Sequence, residues 1–395
     1  MADLKKIYQK MCMSSVFHSV LDSPLIKRFE SYISAPLGSE LKLKAYSSFV
    51  SLIYSDGGSL TDLVSKLVFE DENVYIKSVS KKAQIRPEIL IAAREELSSL
   101  AEFASLSSED FRADMGVEYV SPFASEKIDF VAKYNERLSG IEKYGYGIFS
   151  SYPMFRLTDD SVIEPIISRD KTSLDSFIGY GDERERIIHN TVAFLENKPA
   201  ANALLYGDAG TGKSSTVKAV VNAYFDKGLR LIELRKDQLR YLPYVMGKIS
   251  ENPLKFIIFI DDLSFNKSDD NFSMLKAALE GSASAKAENA IIYATSNRRH
   301  IIKESFSDRD GDDVHRNDTM QETLSLSERF GLCVLFAKPD KKLYLEIVYE
   351  LAARKGISID NNELAIKAEA FAIRKGNRSA RCAEQFVDSI IGDVI

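Results

Sequence analysis

The chain is poor in cysteine and carries no excess of positive charge. Its 3 cysteines, Cys12, Cys333 and Cys382, lie far apart and without the paired spacing of metal ligands. That pattern reads as buried, reduced thiols in a cytosolic protein. No apolar run reaches the length needed to cross a bilayer. The N-terminal stretch, with Asp3, Lys5 and Lys6, lacks the apolar core of a signal peptide. The expectation is a cytoplasmic protein with no membrane span. Net charge is -6, so the chain as a whole does not advertise nucleic-acid binding, and only a local basic surface would serve that role. No protease, nuclease or zinc motif is present, and residues 1–150 show neither a catalytic cluster nor an internal repeat.

What is present suits a folded protein of more than one domain. Hydrophobic residues make up 45% and charged residues 28% of 395 positions, the balance of a globular sequence. In residues 1–150, Leu4, Ile7, Tyr8 and Met11, then Leu41, Leu43, Tyr46, Phe49, Val50 and Ile53, recur at roughly helical spacing. Ile89, Leu90, Ala93, Leu97, Leu100 and Phe103 do the same after Pro87, a residue suited to a first helical turn. This region is expected to be a packed helical domain with a recruitment or structural role, followed by a linker over 151–172.

From Ser173 strands and helices alternate. Five short apolar segments, at 202–206, 229–234, 256–260, 290–294 and 333–337, predict a parallel sheet covered on both sides. A helix is expected over 272–280, with Leu275, Ala278 and Leu279 on one face. From Pro339 three helices follow. The first ends at Gly356, and the second begins at Asp360 with Glu363 in capping position. The third runs from Ser379 and is expected to bury Ala383, Phe386, Val387, Ile390 and Ile391. The fold class is therefore α/β, with a parallel five-stranded core over 173–338, a helical lid over 339–395 and an N-terminal, mostly helical domain.

The chemistry centres on Gly207-Asp208-Ala209-Gly210-Thr211-Gly212-Lys213-Ser214, which satisfies the phosphate-loop pattern between an apolar strand and a helix start. Glycines let successive N–H groups, including that of Ser215, turn toward phosphate oxygens, and the helix N-terminus adds its positive end. Lys213 supplies a cation to the β and γ phosphates of a nucleoside triphosphate, and the Ser214 hydroxyl is suited to ligate Mg²⁺. Further along, Phe256-Ile257-Ile258-Phe259-Ile260 is a buried strand ending in Asp261 and Asp262. Asp261 is placed to hold Mg²⁺ and Asp262 to polarise a water.

With these motifs in order, residues 173–395 resemble an AAA+ ATPase module. Phe177-Ile178-Gly179-Tyr180 resembles the segment that packs on adenine, which implies base contacts from Ile178 and Gly179. Tyr293-Ala294-Thr295-Ser296-Asn297 resembles sensor 1, which gives Asn297 a role at the attacking water or γ-phosphate. Leu326-Ser327-Glu328-Arg329-Phe330-Gly331 resembles the arginine-finger segment, and Gly376-Asn377-Arg378-Ser379-Ala380-Arg381 opens the sensor 2 helix, where Arg381 fits better than Arg378. The Asp-Asp-Leu-Ser-Phe, Ser-Asn-Arg-Arg-His and Leu-Ser-Glu-Arg-Phe-Gly-Leu segments together resemble a bacterial P-loop ATPase family labelled as a domain of unknown function.

The resemblance implies Mg²⁺-dependent ATP hydrolysis that moves a protein or nucleic-acid client, in a homo-oligomer such as a hexameric ring. Arg329 would then act on a neighbour's γ-phosphate. One position departs from the pattern: most AAA+ proteins carry Glu where this chain has Asp262. An ATP-binding assembly switch with little turnover is therefore a second reading, and a nucleic-acid loader or remodeller a third. Glu280 is a further candidate for activating water. Arg298, Arg299 and His300 precede an acidic loop with Asp308, Asp310, Asp312 and Asp313, which suggests ion pairing across the loop, or else a nucleic-acid contact. His315 has no visible metal partner.

Overall fold

The computed structural model describes residues 2–167, 172–264, 274–276, 279, 287–297 and 329–392. Two compact units divide the chain: Met1–Ser151 with Glu251–Pro253, and Tyr152–Ser250 with Leu254–Ile395.

The first unit is helical. Its longer helices include Pro24–Ser34, Glu40–Ser55, Leu60–Glu70 and Pro87–Ala104. Ser23 and Ser39 cap the first two of these by accepting from Ile26 N–H and Lys42 N–H, and Pro24 and Pro87 open their helices. The core is aromatic: Phe29, Phe49, Phe103 and Phe111 are fully buried, with the Phe29 and Phe103 rings 4.8 Å apart. Glu96 is buried and accepts the N–H groups of Ser15, Val16 and Phe17. Leu41, Leu43 and Leu90, which share the helical spacing of the core residues, are exposed. Of the three cysteines expected to be buried only Cys382 is, since Cys12 is exposed and Cys333 half-buried.

The second unit is built on one sheet. Its strands are β1 (Met154–Leu157), β2 (Ile163–Pro165), β3 (Ala203–Gly207), β4 (Leu229–Leu234), β5 (Lys255–Ile260), β6 (Ala290–Ser296) and β7 (Leu332–Phe336). Among the described residues the order is β2-β1-β4-β5-β6-β3-β7. All neighbours pair in parallel except β1 and β2, which form an antiparallel hairpin. The five expected strands are present, and the count rises to seven because 154–157 and 163–165, within the stretch read as a linker, join the sheet edge. They are short and carry Arg156, Glu164 and Pro165, too little for a period-2 signal and typical of an edge.

Central strands β5 and β6 are buried almost end to end, as expected of a parallel sheet covered on both faces. Leu205, Ile257, Phe259, Tyr293 and Val334 form one core with Val217 and Val220 of the helix Lys213–Ala223. Each such side chain contributes about 1.5–3 kcal/mol on full burial. Met274, Leu275 and Lys276 are helical, with Leu275 buried; Ala278 and Glu280 lie outside the described residues.

Three lid helices follow: Lys341–Arg354, Asn361–Lys375 and Ala380–Ile391. Gly356 adopts φ +69° just past the first. Asp360 caps the second by accepting from Asn362 and Glu363 N–H, and Ser379 caps the third by accepting from Cys382 N–H. Tyr344, Ile347, Leu364, Ala383, Phe386 and Val387 are buried in the lid core, with Ile390 packed at its margin. Ile391 does not join them: it is exposed, because the apolar stripe rotates off the seam at the last turn.

Candidate functional site

The phosphate loop grows out of β3 at a glycine that its surroundings require. Gly207 has φ +133°, and a Cβ there would lie 2.1 Å from the Phe336 carbonyl oxygen of β7. Gly210 and Gly212 take φ +77° and +89°, so the backbone doubles back twice before the helix begins. The Thr211 hydroxyl donates to the Asp208 carbonyl at 2.9 Å and braces the turn.

Lys213 is buried inside this curl. Its Nζ donates to the carbonyls of Gly207 and Asp208 at 2.9 and 2.7 Å and to Asn297 Oδ1 at 3.2 Å. Burial pushes the ammonium pKa down, opposed by the carboxylates of Asp208, Asp261 and Asp262. A desolvated cation in a concave loop at a helix N-terminus is suited to an anion, phosphate above all.

The two acids emerge at the C-terminal edge of β5. Asp261 Oδ1 accepts from Ser214 Oγ at 2.6 Å, from Thr295 Oγ1 at 2.5 Å and from Asp262 N–H at 3.2 Å. Asp262 is exposed, with a left-handed φ of +50°. Its N–H also donates to Thr295 Oγ1 at 2.9 Å, and its Oδ1 accepts the Asn297 side-chain amide at 2.8 Å. Ser214 and Asp261 thus present adjacent hard oxygens, of the kind that would hold a Mg²⁺.

These groups line one cleft of about 730 Å³ between the sheet edge and the lid. Ile178, the loop from Ala209 to Ser215, Asp261, Asp262, Asn297 and Arg381 all face it. Gly179, Gly207 and Asp208, also expected to bind the nucleotide, are not among its lining residues. Gly179 has φ +71°, and a Cβ there would meet Leu343 of the lid at 2.6 Å. The Asp208 carboxylate accepts Lys338 N–H at 3.1 Å.

The lid is tied to the cleft at both ends. Arg381 N–H donates to the Gly210 carbonyl at 3.2 Å, and Arg354 Nη1 donates to the Ser176 carbonyl at 2.7 Å. The Arg378 guanidinium is instead paired with Glu369 inside the lid, at 2.8 and 3.0 Å. Arg329 is half-buried just before β7 and is not part of the cleft lining of its own chain. Glu280, Arg298, Arg299, His300, Asp308, Asp310, Asp312, Asp313, His315 and residues 326–328 lie outside the described residues.

Sequence reasoning passed over Thr295 and Arg354. The signal for Thr295 was there: a hydroxyl two residues before Asn297 on a strand shares its face. Arg354 had no such signal, because its partners are backbone carbonyls far away in sequence. Asn297, read as a water or phosphate contact, here joins Lys213 to Asp262.

Among the described residues no helix is long and apolar enough to cross a membrane. No curated protein matches the chain. Among solved structures it is similar to the Thermotoga maritima RuvB Holliday junction branch migration motor, at TM-score 0.34 and 13% identity over 56% of this chain and 72% of that one. The T158V form of the same protein matches at TM-score 0.34 and 14% identity, with the same coverage. A structure on katanin self-assembly matches at TM-score 0.31 and 17% identity, over 50% of this chain and 65% of the other. The family described as "Protein of unknown function (DUF815)" matches residues 150–394, more than half of the chain. With its phosphate loop, α/β core and three-helix lid, the chain belongs to the DUF815 family.

Proposed function

We propose that the protein is a Mg²⁺-dependent AAA+ ATPase that converts ATP hydrolysis into movement of a macromolecular client. The observation that carries this reading is the convergence on one cleft of Lys213, the Ser214–Asp261 pair and the Asp262–Asn297 pair. Ser214 and Asp261 would hold Mg²⁺, whose chemistry is to neutralise charge on the phosphate oxygens. Lys213 and the loop N–H groups bind the β and γ phosphates, while Phe177, Ile178 and the lid hold the base. Asp262 orients the attacking water and accepts its proton as the bond to the γ-phosphorus forms and the ADP oxygen leaves. Asn297 positions that water or the γ-phosphate.

Arg381 contributes lid charge from within the chain, and Arg329 serves the cleft of a neighbouring subunit. The position of Arg329 away from its own chain's cleft lining supports that assignment. The working form is a homo-oligomeric ring, with the N-terminal helical unit as its recruitment or structural module. Multiple-turnover phosphate release in Mg²⁺, set against the same assay with excess chelator, tests the proposal; tight ATP binding without phosphate release would overturn hydrolysis.

That outcome would favour a second reading, an ATP-dependent assembly switch. The exposed Asp262, one methylene shorter than the usual glutamate and tied to Asn297, supports it. Stimulation of phosphate release by DNA or RNA would instead identify the client as nucleic acid.

A further inference from the structure

Resting on the Mg²⁺–ATP reading of the cleft, we infer that Thr295 is the positioning residue that joins the metal-binding acid and the water-activating acid into one unit. A threonine hydroxyl has a single proton to donate and lone pairs to accept with. Here the proton goes to Asp261 Oδ1 at 2.5 Å, and the oxygen accepts Asp262 N–H at 2.9 Å. The Thr295 carbonyl accepts Leu263 N–H at 2.7 Å, so the turn after β5 is fastened to β6 through this residue twice. Thr295 is 2% exposed, which shields these bonds from competing water.

Two consequences follow for the acids. Three donors converge on Asp261 Oδ1, and among the described residues none bonds to Oδ2, so the second oxygen is the one left for a metal. The tether also holds position 262 at φ +50°. That conformation disfavours most side chains but is visited more readily by aspartate and asparagine, whose short polar groups bond locally. The aspartate where most AAA+ proteins carry glutamate is thus matched to the backbone Thr295 imposes.

The test uses the full-length chain with Thr295→Val, which keeps the shape and removes the hydroxyl, Thr295→Ala, which adds no branching, and Thr295→Ser, which keeps the hydroxyl. Affinity for a fluorescent ATP analogue is measured with and without Mg²⁺, alongside melting temperature and phosphate release. Loss of an outer-shell partner costs on the order of 10–100-fold in metal affinity or activity. The Val and Ala variants should lose that much of the Mg²⁺-dependent gain in affinity while metal-free binding holds, and Ser should restore it.

An undiminished Mg²⁺ gain in Val and Ala would overturn the inference, as would a Ser variant as impaired as Val. A fall in metal-free affinity that tracks melting temperature would assign Thr295 a purely structural role and overturn it too. A wild-type chain that gains affinity from Mg²⁺ but releases no phosphate defeats hydrolysis alone, and the metal readout still decides Thr295. A wild-type chain indifferent to Mg²⁺ overturns both.

Discussion

Asn297, at the end of β6, donates its side-chain amide to Asp262 Oδ1 at 2.8 Å, just beyond the end of β5. Lys213 Nζ donates to the carbonyl oxygen of the same amide at 3.2 Å, which orients it. The amide therefore connects the acid expected to activate water with the cation expected to bind the γ-phosphate. An anion reaching Lys213 competes with the Asn297 carbonyl oxygen for that Nζ donor.

Replacing Asn297 by alanine should leave ATP affinity within a few-fold of wild type, because the loop and Lys213 persist. The hydrolysis rate should fall on the order of 10²–10³-fold, the cost of losing one preorganised donor at a developing charge. A nucleotide titration together with single-turnover phosphate release separates the two effects. An equal loss in both would make Asn297 a binding residue.

Lys213→Ala removes a charge-assisted contact to phosphate worth about 1.5–3 kcal/mol, or roughly 10–100-fold in affinity. The fold should persist, because the helix behind the loop is anchored by Val217 and Val220 in the core. Unchanged affinity for a fluorescent ATP analogue, with unchanged circular dichroism, would remove the phosphate loop from the site.

The paired acids should separate by phenotype. Asp261→Asn removes the charge of the carboxylate that Ser214, Thr295 and the Asp262 N–H hold in place, so Mg²⁺-dependent binding should suffer. Asp262→Asn keeps the left-handed turn and the metal acid, so Mg²⁺–ATP should still bind while turnover stops. Asp262→Glu should not raise the rate, because the left-handed backbone at this position is visited more readily by aspartate and asparagine than by glutamate. If Asp262→Asn hydrolyses ATP at the parent rate, Glu280 becomes the next residue to substitute.

Arg329→Ala should bind ATP almost normally and hydrolyse it poorly, since an arginine delivered to the transferring phosphoryl group is worth on the order of 10³–10⁵ in rate. With the finger and the Asp262 water on different subunits, mixing inactive Arg329→Ala with inactive Asp262→Asn should rebuild some intact interfaces and restore activity. No recovery at any ratio, in mixed oligomers verified by differential tagging, would rule out action across the interface.

Acid should loosen the lid through Glu369. Its hydrogen bonds from Arg378 hold the carboxyl pKa below its ordinary value of 4.5. A depressed folded pKa means the unfolded chain binds the proton more tightly, so the stabilisation is complete above 4.5 and fades as pH drops through the lower folded value. Arg378→Ala should flatten that part of the melting-temperature profile between neutral pH and acid and leave the alkaline side unchanged. An identical acid slope in both proteins would show the pair carries no linkage.

Much of this is legible in the sequence itself. The phosphate loop is a local device, since its glycines, lysine and serine act within one turn between a strand and a helix. The lid helices could be read from Gly356, Asp360 and Ser379 because caps are local too. Where the reading failed, the deciding contact was not local. The β1–β2 hairpin has only short, charged strands of its own and is placed by pairing β1 with β4. Leu41, Leu43 and Ile391 have the spacing of core residues, yet periodicity does not say how wide the neighbouring surface is.

The sequence by itself determined which groups are available: a cationic loop, two consecutive acids after a buried strand, and an asparagine after another. Tertiary structure alone decided how they meet. Parallel pairing of β6 with both β5 and β3, with Ala294 beside Ile260 and Ser296 beside Tyr206, brings the ends of three distant strands to one edge. One residue beyond Ile260, Asp261 lies within 2.5 Å of the Thr295 hydroxyl, and Asp262 turns left-handed to reach Asn297. Register between parallel strands is set by burial on both faces across the whole sheet, a sum over many distant side chains that no single segment of the chain carries.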